Sequence, residues 1–132
     1  MKGSCLCGAV QYEVKKLSSP ITHCSCSACR KSNGAAFNTA AAVLPEDFQW
    51  LKGEEKVSQF ESSPGTERHF CSVCGSPLVK MKKGGAFHAL RVASLDEDPG
   101  QIPELRIWKS DEVSWLSYEH EMPQYDEWQP GR

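Results

Sequence analysis

No stretch of the sequence approaches the 18 or so consecutive apolar residues that a membrane-spanning helix requires, so a helical membrane anchor is not expected. There is no basic excess either. Fifteen Lys and Arg stand against 17 Asp and Glu, net −2, and the cations are scattered rather than clustered. That argues against a reader of nucleic-acid phosphates, which usually shows a basic patch. The first residues, MKGSCLCG, have no apolar core of the kind a secretory signal carries, so the expectation is a cytoplasmic protein. Internal repeats and low-complexity tracts are also missing. At 132 residues the chain has the length of one domain and is read as a single one, with a core near residues 3–118 and a polar tail over 119–132.

Cysteine, by contrast, is plentiful. Seven occur, in three groups: CLCG at 5–8, CSCSAC at 24–29 and CSVCG at 71–75. In a reducing compartment such groups point to metal ligation or catalysis rather than disulfides. The odd total agrees, because a disulfide framework would leave one thiol over.

Between the cysteines the pattern is mainly that of strands. AVQYEV (9–14) alternates with period two, ITHC (21–24) forms a short strand, and EKVSQFE (55–61) another. PLVKMK and AFHALRVA, divided by Lys83-Gly84-Gly85, read as a hairpin, and ELRIWK as one more strand. SACRKSN (27–33) has the makings of a short helix, with Ser27 as N-cap and Gly34 as the stop. Residues 35–44 carry both helix-favouring alanines and a strand period. Pro45 with Glu46 and Asp47 suggests a short helix reaching Trp50. In the tail, Tyr125 and Trp128 are the only anchors.

Glycine sorts the cysteines. A metal knuckle turns tightly around its sulfurs, and the residue after the last ligand often needs φ > 0. Gly8 follows Cys7 and Gly75 follows Cys74, whereas Arg30 and Lys31 follow Cys29. Cys5, Cys7, Cys71 and Cys74 are therefore assigned to one closed, tetrahedral structural zinc site. Cys24, Cys26 and Cys29 remain, and three ligands with an open fourth position is the pattern of a catalytic zinc. The cations of Arg30 and Lys31 would offset the negative charge of such a site and favour thiolates. Two zinc ions per chain are expected, iron being the lesser alternative. Other readings stay open: His23, His69 or His88 as a fourth ligand, or an unmetallated redox cluster.

With these motifs in view, GSCLCGAVQYEV, HCSCSACRKSNGAAFNT, FCSVCGSPL and SLDEDP resemble the glutathione-dependent formaldehyde-activating enzyme family, over about residues 3–118. The resemblance implies a β-tent of antiparallel sheets carrying zinc-ribbon-like cysteine knuckles. It implies a structural zinc on Cys5, Cys7, Cys71 and Cys74, and a catalytic zinc on Cys24, Cys26 and Cys29. It also implies a carbon–sulfur lyase activity like that of S-(hydroxymethyl)glutathione synthase, with glutathione or a similar thiol and an aldehyde as small-molecule partners. The family commonly has Cys-His-Cys where this chain has Cys24-Ser25-Cys26, with His23 one place earlier. Glutathione carries two carboxylates and one ammonium, so guanidinium and ammonium groups are its expected contacts. Arg30 is the first candidate, followed by Lys31, Arg68 and Arg91. Against the enzyme stands a second reading, a non-catalytic protein-binding module of the same fold.

Overall fold

In the computed structural model, which describes residues 1–117, 122–129 and 131, the alternation in QYEV buries Tyr12 and Val14 completely and leaves Gln11 exposed. This strand, β2 (Gln11–Val14), lies between β1 (Lys2–Ser4) and β5 (Phe48–Lys52) in a three-stranded antiparallel sheet. The remaining strands are β3 (Ile21–Cys24), β4 (Asn38–Val43), β6 (Val57–Ser63), β7 (Thr66–Cys71), β8 (Pro77–Lys82), β9 (His88–Arg91) and β10 (Pro103–Ile107). They form a second, seven-stranded sheet in the order β10-β3-β4-β9-β8-β7-β6. The protein is thus mainly β, as expected. All neighbours are antiparallel except β10, which joins β3 in parallel.

The inward faces of the two sheets supply one core of Val10, Tyr12, Val14, Val43, Leu78 and Leu90, joined by Cys5 and Cys71. Tyr12 organises it. Its ring stacks on Phe48 at 5.5 Å between centroids and meets Trp50 edge-on at 6.3 Å. Burial raises its phenol to about 12, so it stays protonated and shares a 2.7 Å hydrogen bond with Ser94 Oγ. Ser94 Oγ in turn donates to the carbonyl of Arg91 at 2.7 Å. The end of β9 is therefore tied to the small sheet.

Local expectations fared unevenly. The ambiguous residues 35–44 become β4, because the large sheet needs Ala41 and Val43 facing its core. The helix expected from Pro45 to Trp50 is a single 3-10 turn, Pro45–Asp47, after which Phe48 and Trp50 enter β5 to pack on Tyr12. The one α-helix among the described residues, α1 (Ser27–Asn33), is capped by Cys26 rather than Ser27, since Cys26 Sγ accepts from the Cys29 N–H at 3.4 Å. It stops at Gly34, as expected. In the tail, residues 119–121, 130 and 132 lie outside the described residues, while Tyr125 and Trp128 are largely exposed.

Candidate metal centres and the cavity beside them

The turn after β1 and the turn after β7 fold towards each other and place four sulfurs together. Cys5, Cys7, Cys71 and Cys74 have all their Sγ atoms within 4.8 Å of one another, with Cys5–Cys7 at 3.6 Å and Cys7–Cys71 at 4.0 Å. Four thiolates about 2.3 Å from a zinc ion would sit roughly 3.8 Å apart, so the spacing fits tetrahedral zinc. Each turn closes by a backbone bond from its glycine, Gly8 N to Cys5 O at 2.9 Å and Gly75 N to Cys71 O at 2.8 Å. Both glycines are left-handed, with φ of 70° and 77°. Further donors face the sulfurs: Val10 N–H reaches Cys5 Sγ at 3.2 Å, and Ser76 Oγ lies 3.2 Å from Cys74 Sγ. The Ser76 hydroxyl and backbone hold the Cys74 thiol down to about 5, the thiolate form that metal binding needs.

The second set comes from one local turn. Cys24 ends β3, Cys26 caps α1 and Cys29 sits in its first turn, and their sulfurs also lie within 4.8 Å of one another. Cys24 and Cys29 are buried and Cys26 is half-buried. Burial pushes the Cys24 thiol up to about 12. Burial also acts to raise Cys26, but hydrogen bonds from Cys29 and Cys24 and the charge of Arg68 outweigh it and hold that thiol below its ordinary value. Three soft donors at this spacing suit a metal with one position left over.

No fourth His, Cys, Asp or Glu joins this set among the described residues. His23 alternates to the other face of β3 from Cys24. There its Nδ1 meets Thr39 Oγ1 at 3.1 Å and its ring packs on Phe37 at 4.1 Å. His69 pairs with Glu67, and His88 stands edge-on to Phe48.

A cavity of about 580 Å³ opens onto Cys24 and Cys29, bounded by β3, β4, β9 and the β8–β9 turn. A larger one of about 670 Å³ reaches Cys5 but none of the three-cysteine set. The first therefore has the better claim of the two to a substrate, because it meets the three-cysteine cluster. Of the expected contacts, Arg30 donates from Nε to Ser25 O at 2.9 Å, bracing the loop between Cys24 and Cys26, and lines neither cavity. Lys31 is exposed. Arg68 donates to Ser32 Oγ at 3.0 Å and borders a smaller neighbouring cavity. Arg91, ranked last from the sequence, lines all three cavities and is only 5% exposed. Its place in a hairpin strand gave no hint of this, since its cavity is built from β3 and β4, far away in sequence.

Known proteins resemble this chain in sequence and in fold. A family model described as glutathione-dependent formaldehyde-activating enzyme matches residues 1–111. A Halomonas elongata protein, provisionally named a glutathione-dependent formaldehyde-activating enzyme, is 38% identical over 85 residues, covering 59% of this chain and 54% of that protein. A Fusarium vanettenii protein with the same provisional name is 31% identical over 90 residues, covering 65% and 48%. The chain thus spans about half the length of the curated relatives it matches. The crystal structure of a Rhodobacter sphaeroides protein superposes with a TM-score of 0.65 at 28% identity, over 78% of this chain and 98% of that one.

Proposed function

The chain belongs to the glutathione-dependent formaldehyde-activating enzyme family, and from that premise we propose that it is a carbon–sulfur lyase joining a small thiol, such as glutathione, to an aldehyde. The observation that carries this reading is the convergence of Cys24, Cys26 and Cys29, with no fourth protein ligand among the described residues, at a substrate-sized cavity that Cys24 and Cys29 line. Zinc held by these three cysteines would supply Lewis acidity toward sulfur or oxygen. Cys5, Cys7, Cys71 and Cys74 would hold a second, structural zinc, and the whole would act as one zinc-binding domain.

In the reaction the thiol sulfur forms a bond to the aldehyde carbon. The carbonyl π pair moves to oxygen, which ends with the proton the thiol gave up, so nothing is oxidised or reduced. The protein's own share is placement. Cys24 and Cys29 line one side, and the buried Asn38, on β4 directly opposite Cys24 of β3, offers an amide at the same cavity. Arg30 keeps the loop between the cysteines in shape through Ser25 O.

The membership supports glutathione and formaldehyde as first substrates to try. All seven cysteines are free, which supports a reducing, cytoplasmic location. No helix among the described residues is long and apolar enough to cross a membrane. A second reading, a protein-binding module with two structural zincs, draws on exposed Leu105, Ile107 and Trp108 at the β10 edge.

Elemental analysis of protein purified without chelator, followed by NMR detection of the thiol–aldehyde adduct, tests the proposal. Two zinc ions per chain and adduct formation faster than the uncatalysed rate are expected. Full zinc with no rate gain for any thiol tried would favour the binding module instead.

A further inference from the structure

Arg91 stands out among the buried groups. It is 5% exposed, its Nε is buried without a hydrogen-bond partner, and its side chain borders the cavity that meets Cys24 and Cys29. A buried guanidinium is costly unless paired, and no ion pair to Arg91 is formed among the described residues. Burial lowers its pKa, with Arg68 acting in the same direction and the thiols of Cys29, Cys24 and Cys26 acting against it. Its backbone is fixed by the Ser94–Tyr12 chain of hydrogen bonds, and its side chain is buried beneath the surface rather than turned to solvent.

The rest of the cavity has a different character. Ala40, Ala42 and Ala89 line it together with Leu44, Phe87 and Ile107, and the neutral polar groups of Ser18, Ser19, Thr22 and Asn38 lie among them. Lys80 adds a second cation, and no Asp or Glu among the described residues lines it. A ligand with an ammonium group would find no carboxylate there among the described residues. Glutathione has such a group, and a strongly polar peptide body as well. A compact apolar body with one carboxylate matches the lining at both ends.

We propose that the cavity binds a thiol that carries a carboxylate on an apolar chain, with Arg91 pairing the carboxylate and Phe87 and the alanines covering the chain. This deepens the thiol–aldehyde reading, on which its thiol half rests. The preferred thiol is then a mercaptocarboxylate rather than a peptide.

The test is calorimetric titration of zinc-loaded protein with mercaptohexanoate, mercaptohexanamide, hexanoate and glutathione, zinc content being checked in every variant. Mercaptohexanoate should bind about tenfold or more tighter than its amide or glutathione, and hexanoate should bind measurably without a thiol. Arg91→Gln should cost mercaptohexanoate about tenfold and its amide less than about twofold, a charge-assisted bond being the difference. Should Arg91→Gln not fold, Phe87→Ser, in an exposed turn, should weaken mercaptohexanoate several-fold and leave glutathione unchanged. Glutathione binding as tightly as mercaptohexanoate would overturn the inference. So would Arg91→Gln weakening the acid and amide equally, or merely shedding zinc, which would make Arg91 a counter-charge to the cysteines. If hexanoate and mercaptohexanoate bind as stated but no aldehyde adduct forms, the cavity assignment stands and the lyase reading falls.

Discussion

Arg68 Nη1 donates to Ser32 Oγ across 3.0 Å and so ties β7, the strand that ends in Cys71, to α1, the helix that carries Cys29. Ser32 and Asn33 pass the tie on, both donating to the carbonyl of Cys29, at 3.3 and 2.6 Å. The two cysteine sets are therefore linked through one guanidinium and two polar side chains. Arg68→Met removes that link and one positive charge beside the thiols. Its expected effect is a second zinc that chelator removes about tenfold more readily, the first being held as before. A chelator titration that follows zinc release reads this directly, and equal loosening of both zincs would refute it.

The two sets should also fail differently when broken. Cys74→Ala takes a ligand from the closed set, whose metal would contribute on the order of 10 kcal/mol of apparent binding energy to folding. That is comparable with the whole net stability of a domain, so the variant should be largely unfolded. Cys26→Ala changes only a helix cap and the open set, and should remain folded with one zinc and no adduct formation. Circular dichroism with zinc analysis distinguishes the two. Equal damage from both would sink the four-plus-three division.

His88 provides a pH dependence with a definite sign. Burial, and secondarily the neighbouring His69, lowers its pKa, and its Nδ1 is buried without a partner beside Phe48. In the unfolded chain it takes a proton near the ordinary value of about 6.5, while in the folded protein it resists until lower pH. Stability is therefore unaffected well above that pH and falls as pH drops through it toward the folded value. His88→Leu should flatten this part of the acid loss. Comparing urea midpoints of variant and wild type at about pH 7.5 and 5.5 cancels acid-driven zinc release, which both share. An unchanged slope would show that His88 does not titrate in this range.

How much of this could be read from sequence depends on the range of the forces involved. Gly8 and Gly75 announced the knuckle turns because a left-handed residue is a local demand, and the turns that bring Cys5, Cys7, Cys71 and Cys74 together have that geometry. The hairpin at Lys83-Gly84-Gly85 was legible for the same reason. The pairing of β10 with β3 in parallel was not, because it joins segments with no local signal of partnership. Phe48 and Trp50 were expected in a helix that Pro45 begins, yet Tyr12 recruits them into β5. Among the arginines, Arg30 looked best by adjacency to Cys29, but its Nε is taken by Ser25 O. Arg91 reaches the cavity only because β9 lies beside β4 in the sheet, a fact of topology.

The close approach of Gly3 to Tyr12 offers a test of how Arg91 is held. A Cβ on Gly3 would stand 2.2 Å from Tyr12 Cζ, 2.3 Å from its hydroxyl and 2.7 Å from the Ser94 carbonyl. Only hydrogen fits there, and the crowded ring is the one whose hydroxyl bonds Ser94, the residue that fixes the Arg91 carbonyl. Gly3→Ala must displace Tyr12 or spread β1 from the end of β9, and overpacking of this kind costs about 1–3 kcal/mol. Chemical denaturation should show that loss. The same variant should also weaken binding of a carboxylate ligand more than that of its amide, because the displaced ring releases the strand end that carries the guanidinium. A loss of stability with no change in ligand discrimination would mean that Arg91 is positioned by the sheet alone and owes nothing to Tyr12.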